Sequence, residues 1–448
     1  MQRLEIMSRK QGRHVLFAAS LIIFLLIGSC FPKKAVDVPA KLPPEKTQVV
    51  PPPKPKTHLV KLLQEEYPDF NDDLFFEGLE QGMARSLDYY KVIPERQVFL
   101  FGNDRVDKKR MIESMTVLQD FIAQADPSKE FNTFIRDRYD VYKSIGNDTG
   151  DVLFTGYYEP CLRGSLEKSD EYPYPVYTTP DDLVTIDLRK FFDIEAIKQT
   201  LIGRVTGQKS VVPYYERKEI GKGDILNGKA KVIAYVSDKV ELFFLEVQGS
   251  GIIYLDNGDI LKVHYQNKNG KPYRSIGNYL INSGKMNPKN MSMQKIKEYL
   301  KTHPAEVDEV LNFNPSYVFF KEGKGGPYGC YGVEVTPERS IATDKQFFPA
   351  CALAYIETSK PLVDGDGKIT EWTKARRFVL NQDTGGAIKG PGRVDVFQGS
   401  GSYAELAAGH MKHSGAMYFL VLKEPPPAPA VPAIPVTPDA GNTAPKAP

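Results

Sequence analysis

NQDTGGAIKGPGRVDVFQG, residues 381–399, is the stretch on which the reading of this chain turns. A short apolar run, RFVL, leads into Asp383, and Gly385, Gly386, Gly390 and Gly392 follow in quick succession. Glycines let a backbone turn tightly and let a ligand approach closely. The next run, RVDVF, alternates as a strand does, with Val394 and Val396 on one face and Arg393, Asp395 and Phe397 on the other. Two carboxylates therefore flank an open loop, one of them beside a cation and an aromatic ring. That grouping suits acid–base chemistry on a bulky polar substrate. Taken alone, it also fits a hairpin carrying two solvated aspartates.

Two other runs share its character. Phe154-Thr155-Gly156-Tyr157-Tyr158-Glu159-Pro160 is strand-like with paired tyrosines, and Glu246-Val247-Gln248-Gly249-Ser250-Gly251 closes an apolar run with small polar residues. Tyrosine faces stack on sugar rings while amides and hydroxyls bond sugar hydroxyls. Each run alone also fits a structural role, since paired tyrosines are usually core and Gln-Gly is usually a turn. Competing motifs fit less well. Asp383-Thr384-Gly385 and Asp148-Thr149-Gly150 invite an aspartic-protease reading, but neither is followed by Ser or Thr. His410 and His413 have no acidic third ligand at a telling distance, so no metal or cofactor is expected. Gly249-Ser250-Gly251 lacks the nucleophile-elbow pattern, and Lys389 is not followed by Ser or Thr as in a phosphate-binding loop.

The ends of the chain are processing and linker segments. Arg3, Arg9, Lys10 and Arg13 precede an apolar run from Val15 to Ile27, too short for a comfortable membrane span and suited to a signal-peptide core over residues 1–29. Gly28-Ser29-Cys30 at its end resembles the lipobox of bacterial lipoproteins, which makes Cys30 the expected lipidated amino terminus. Phe31, rather than Asp, then favours the outer membrane, with the protein on its periplasmic face. Residues 30–57 read as a lipidated cysteine and a Pro/Lys-rich tether, and 425–448 as a disordered Pro/Ala-rich tail. The chain has 58 basic and 56 acidic residues; without residues 1–29, which hold four basic and one acidic, 54 stand against 55. Such balance gives no reason to expect nucleic acid as a partner. Cys161, Cys330 and Cys351 are too widely spaced for a zinc knuckle, and an oxidising compartment permits one bridge among them.

Between the ends, helices come first and β-structure after. Residues 72–91 have helical spacing behind aspartates suited to an N-cap, Met111 to Ile122 mark a second helix, and Phe131 to Tyr142 a third. After Gly150, runs such as VLFTGYY, KVIAYV, ELFFLEV and ILKVHY read as strands, with a helical interlude near 292–312.

Together the segments FTGYYEP (154–160), EVQGSG (246–251), SIGNYLI (275–281), NPSYVFF (314–320), TPERSIATD (336–344), DTGGAIKGPGRVDVFQG (383–399) and AAGHMKHSG (407–415) resemble the membrane-bound lytic murein transglycosylase A family. The resemblance implies a mainly β fold with N-terminal helices. It comprises a double-psi β-barrel from 58–160 and 313–424 and an inserted β-domain at 161–312. It implies a three-aspartate domain carrying Asp344, Asp383 and Asp395, with Asp395 as acid/base and Asp383 as a second active-site aspartate, and it implies that Thr155, Tyr157 and Gln248 are substrate-binding residues in motifs that line a glycan groove between the domains. The implied activity is cleavage of the MurNAc–GlcNAc β-1,4 bond of peptidoglycan with formation of 1,6-anhydroMurNAc. The residues themselves leave two alternatives open: a lipid-anchored glycan-binding protein without catalysis, and a glycoside hydrolase that activates water. Protein partners are unknown from sequence.

Overall fold

Alternating apolar residues in the carboxy-terminal third, and in the run before Pro160, build six strands that close on themselves. A computed structural model describes residues 58–124, 130–191 and 200–424. The expected signal peptide, Cys30, the tether and the tail lie outside the described residues. The six strands are β1 (Val152–Glu159), β2 (Ser340–Ala342), β3 (Leu353–Val363), β4 (Ile369–Asp383), β5 (Arg393–Ser400) and β6 (Lys412–Leu422). Their order around the ring is β6-β3-β4-β2-β5-β1, and β1 returns to pair with β6. The β1–β5 and β2–β4 contacts are parallel and the others antiparallel. This is the closed barrel of a double-psi fold. Closure leaves no free edge, and the inward-facing Phe154, Ile341, Leu380, Val394, Val396 and Phe419 form one continuous core.

The helix Leu79–Val92 packs on β4 so closely that a Cβ at Gly82 would meet Leu380 at 2.9 Å. It starts later than the expected aspartate cap. Asp72 Oδ1 caps the turn before it, accepting from Leu74 N at 3.1 Å and Phe76 N at 3.2 Å, and the same carboxylate is bound by Arg339 Nη1 and Nη2 at 2.7 and 2.8 Å, while Asp73 is bound by Arg377 Nη2 at 2.7 Å. Arg339 is wholly buried, and a buried guanidinium needs its carboxylate more than a helix end needs a cap. The third helix stops at Arg138. Tyr139 and Tyr142 sit in the strand Tyr139–Ser144, which extends the barrel sheet beside β6.

At Pro160 the chain leaves the barrel for a second β-domain. Its six-stranded sheet runs in the order Val318–Glu322, Ile260–Lys268, Ser250–Leu255, Cys161–Ser165, Val232–Val236, Tyr174–Tyr177. Thus Val318–Glu322, beyond the expected boundary at 312, pairs with this sheet and not with the barrel. The run ELFFLEV is a correction: it lies in the helix Lys239–Gln248, not a strand. Leu242, Phe243, Phe244 and Leu245 are all buried, so the helix shows no polar face from which its period could be read. Asp238 caps it by accepting from Val240 N and Glu241 N, and Gly249, at φ 87°, ends it in the left-handed conformation. With Ile276–Asn282, Met293–Thr302 and Val307–Asn312 this helix encloses a separate apolar core. Cys161, Cys330 and Cys351 are free thiols. Among the described residues no helix is long and apolar enough to cross a membrane.

Candidate active site

Strand register brings the two sequence-selected aspartates together. Ala342 on the three-residue β2 pairs with Asp383 of β4 on one side and with Asp395 of β5 on the other. Two strand spacings separate the aspartate backbones, roughly 10 Å. On the far side of β5, Asp395 pairs with Thr155 of β1, and Phe397 with Tyr157. The candidate residues of the barrel therefore lie on β1, on β5 and at the end of β4, with only the short β2 between them.

Asp395 has 19 % of its side chain exposed. The Thr155 hydroxyl donates to its Oδ1, and Arg393 Nη2 donates to Thr155 Oγ1 at 3.0 Å. Arg393 Nε stands 3.5 Å from the same carboxylate oxygen. Burial pushes the Asp395 carboxyl above its ordinary value, against the opposing pull of the Arg393 charge and the Thr155 hydrogen bond. The side chain is thus fixed in direction by Thr155 and Arg393 while its proton is retained more strongly than in water.

Asp383 is held differently. Its Oδ1 accepts from Thr384 N at 2.7 Å and from Cys330 N at 2.8 Å. Burial pushes its carboxyl up to about 6, in spite of these two donors. The Tyr157 hydroxyl is buried without a hydrogen-bond partner, and its ring lies 5.1 Å from that of Phe397. Burial, then the neighbouring Asp383 carboxylate, holds that hydroxyl well above its ordinary value, so it stays protonated as a donor. The third aspartate, Asp344, is buried and structural: its Oδ2 accepts from Gly390 N at 2.9 Å and fixes the glycine loop. Gly392 approaches the neighbouring turn so closely that a Cβ there would meet Asn147 N at 2.5 Å.

From the second domain, Gln248 reaches across to the barrel. Its Oε1 accepts from Tyr158 N at 3.1 Å, which leaves the side-chain NH2 as a donor. Two residues earlier, Glu246 is buried and bound bidentately by Arg217, at 3.1 and 2.6 Å. Glu246 Oε2 also accepts from Val318 N at 3.2 Å, so the end of this helix is tied to the returning strand.

Other sequence candidates lie apart. His410 bonds Leu406 O at 3.0 Å at a helix end, while His413 packs on Trp372 at 4.1 Å. Among the described residues no group of three or more His, Cys, Asp or Glu is arranged to hold a metal ion. Asp148 is exposed in a turn. Sequence reading missed the Cys330 amide, since a backbone donor has no residue signature. It also missed Tyr273, 38 % exposed, whose Cβ would lie 3.9 Å from a Cβ at Gly386. The adjacency of Tyr273 to SIGNYLI was the available signal.

Residues 153–321 match the MltA specific insert domain and residues 339–421 the 3D domain. The chain is 33 % identical over 286 residues to membrane-bound lytic murein transglycosylase A of Vibrio cholerae, covering 63 % of this chain and 68 % of that protein. It is 34 % identical over 293 residues to the Escherichia coli K12 protein of the same name, covering 64 % and 70 %. Among solved structures, a membrane-bound lytic murein transglycosylase from Agrobacterium tumefaciens superposes with a TM-score of 0.66 at 28 % identity, covering 81 % of this chain and 97 % of that one. E. coli MltA with bound chitohexaose superposes with a TM-score of 0.62 at 26 % identity, covering 82 % and 96 %.

Proposed function

The chain belongs to the membrane-bound lytic murein transglycosylase A family, and from that premise we propose that it cleaves the MurNAc–GlcNAc β-1,4 bond of peptidoglycan with Asp395 as its acid/base. The enzyme class is a lyase acting on polysaccharide. Protonated Asp395 donates to the glycosidic oxygen as positive charge develops at C1 of MurNAc. The C6 hydroxyl of the same sugar attacks C1, and ionised Asp395 takes the hydroxyl proton. The product is 1,6-anhydroMurNAc, and no water is consumed. Intramolecular attack gains from a nucleophile already held near the reacting carbon.

The observation that carries this reading is the setting of Asp395. Its carboxyl is raised by burial, as a general acid requires, and Thr155 and Arg393 fix its direction. Asp383 we assign to the same cleft as a second aspartate that polarises the site with Tyr157. An ordinary glycosidase pairs two carboxylates, one as nucleophile or base. Asp383 instead spends one oxygen on two backbone donors, which supports a positioning role. Thr155, Tyr157 and the free amide of Gln248 are assigned to substrate contact. We further propose residues 58–160 and the carboxy-terminal strands to 424 as the barrel domain, with the insert beginning at 161. We also propose that residues 1–29 are a signal peptide and that lipidated Cys30 anchors the protein to the outer membrane.

Mass spectrometry of digested sacculi tests the reaction. Fragments ending in anhydroMurNAc are one water lighter than hydrolysed ends. Reducing ends as the only products would establish a hydrolase. Binding without any cut would leave a glycan-binding protein.

A further inference from the structure

Beside the two aspartates stands a group of cations that the cleavage chemistry does not use. Lys345 follows Asp344, and Lys389 precedes Gly390; the Asp344–Gly390 hydrogen bond of 2.9 Å therefore holds the two lysine backbones side by side. Thr343 N donates to Asp383 O at 3.1 Å, which places this pair next to the candidate active site. Opposite lies the loop following the second-domain strand Ile260–Lys268. Its Tyr273 faces Gly386, with 3.9 Å between their Cβ positions. Lys268, at the end of that strand, is held below its ordinary value by burial and then by the charges of Lys389 and Lys345. All three lysines keep solvent-exposed surface, although Lys268 is partly covered. Lys271 is tied to Glu216 at 3.2 Å, whereas Lys268, Lys345 and Lys389 form no ion pair among the described residues.

Lys268 is repelled by Lys345 and Lys389, and with none of the three held in an ion pair the group raises the local affinity for anions. This inference rests on the peptidoglycan reading above. A MurNAc residue projects a lactyl group on one side of the glycan, which ends either in its own carboxylate or in a peptide stem that bears carboxylates. We propose that Lys268, Lys345 and Lys389 form a carboxylate-binding subsite, which engages the acidic substituent of a MurNAc residue next to the cleavage point. The subsite would give the enzyme a preference for MurNAc-containing strands over neutral sugars, and would orient the strand by its substituents.

The test measures binding of full-length protein carrying Asp395→Asn, so that no strand is cut, to three probes. These are strands with peptide stems, strands stripped of stems by an amidase so that the lactyl carboxylate is free, and chitohexaose, which has no carboxylate. The same is done with Lys268→Gln, Lys345→Gln and Lys389→Gln combined. The ratio of affinity for the carboxylate-bearing strands over chitohexaose should fall by roughly tenfold in the triple variant, and the ratio in the unaltered background should shrink as salt is added. A fall seen only on stem-bearing strands assigns the subsite to the stem, and one seen on stripped strands assigns it to the lactyl group. An equal loss on all three probes, or an unchanged ratio, overturns the subsite. Turnover by the protein with Asp395 intact is scored separately on the same strands. Failure to cut would remove the proposed reaction without altering the binding ratio.

Discussion

Replacing Asp383 by asparagine should make the protein more stable at neutral pH and leave its stability unchanged in acid. Burial raises the Asp383 carboxyl from 3.8 to about 6. Between these values the folded chain holds a proton that the unfolded chain has released. The folded state therefore binds more protons in this window, and the free energy of unfolding falls as pH rises through it. A shift of about two units, at about 1.4 kcal/mol per unit, makes the buried carboxylate about 3 kcal/mol destabilising above the folded value. Below 3.8 both states are protonated and the difference vanishes. The asparagine side chain would keep an acceptor for the amides of Cys330 and Thr384 but would not titrate. Urea unfolding at about pH 3.5, 5 and 7 gives the stability of both proteins. The gain of Asp383→Asn over the unaltered chain should grow from near zero to about 3 kcal/mol across that series. A difference that stays flat to within about 0.5 kcal/mol would mean that Asp383 titrates as an ordinary surface carboxylate. A variant that loses stability as pH rises would mean that the two amides outweigh burial.

Asp395→Asn should keep fold and glycan binding while cleavage falls by roughly 10²–10⁴ or more; near-normal release of muropeptides from sacculi by a folded variant would move the acid elsewhere, first to Asp383. Glu246→Ala strands the Arg217 guanidinium in the interior, and breaking such a pair costs about 3–5 kcal/mol; a urea midpoint that barely moves would contradict the burial of both partners. Gly249→Ala forces a side chain onto a backbone at φ 87° and should destabilise by about 1 kcal/mol, and through the neighbouring Gln248 it should raise KM more than it lowers kcat. Cys30→Ser should leave the protein unlipidated and mislocalised in membrane fractionation; a soluble unaltered protein with a free Cys30 thiol would refute the anchor.

What the sequence revealed and what it hid follow from how far each signal reaches along the chain. Strand β5 is readable because its two faces differ: Val394 and Val396 turn into the core while Asp395 turns to the opposite face. The helix Lys239–Gln248 is not, because its central Leu242, Phe243, Phe244 and Leu245 form an unbroken buried, β-like run, and only Asp238 and Gly249 mark its ends. Asp72 looked like a cap because a cap is a local device. The arginine that claims it lies at position 339, and no window of sequence contains both. The same distance hides most of the candidate site. Asp383, Asp395 and Thr155 could each be chosen as a residue type in a motif, but their register alongside one another depends on β2, three residues long and too short to show any period.

That short strand also accounts for the chemistry of the pair. Because β2 runs parallel to β4 and antiparallel to β5, Ala342 is the register neighbour of both aspartates. The carboxylates are close enough for the charge of Asp395 to raise Asp383 further. They are far enough apart for each to have its own donors: the Thr155 hydroxyl and Arg393 for Asp395, two backbone amides for Asp383. Asp395 is contacted by side chains that can shift as its charge changes, whereas Asp383 is clamped by rigid backbone. A group that must give up a proton and take one back within a turnover needs the first kind of surrounding, and a group that only shapes the field needs the second. The asymmetry of the two donor sets, more than the carboxylates themselves, is what supports the proposal of Asp395 as the acid/base.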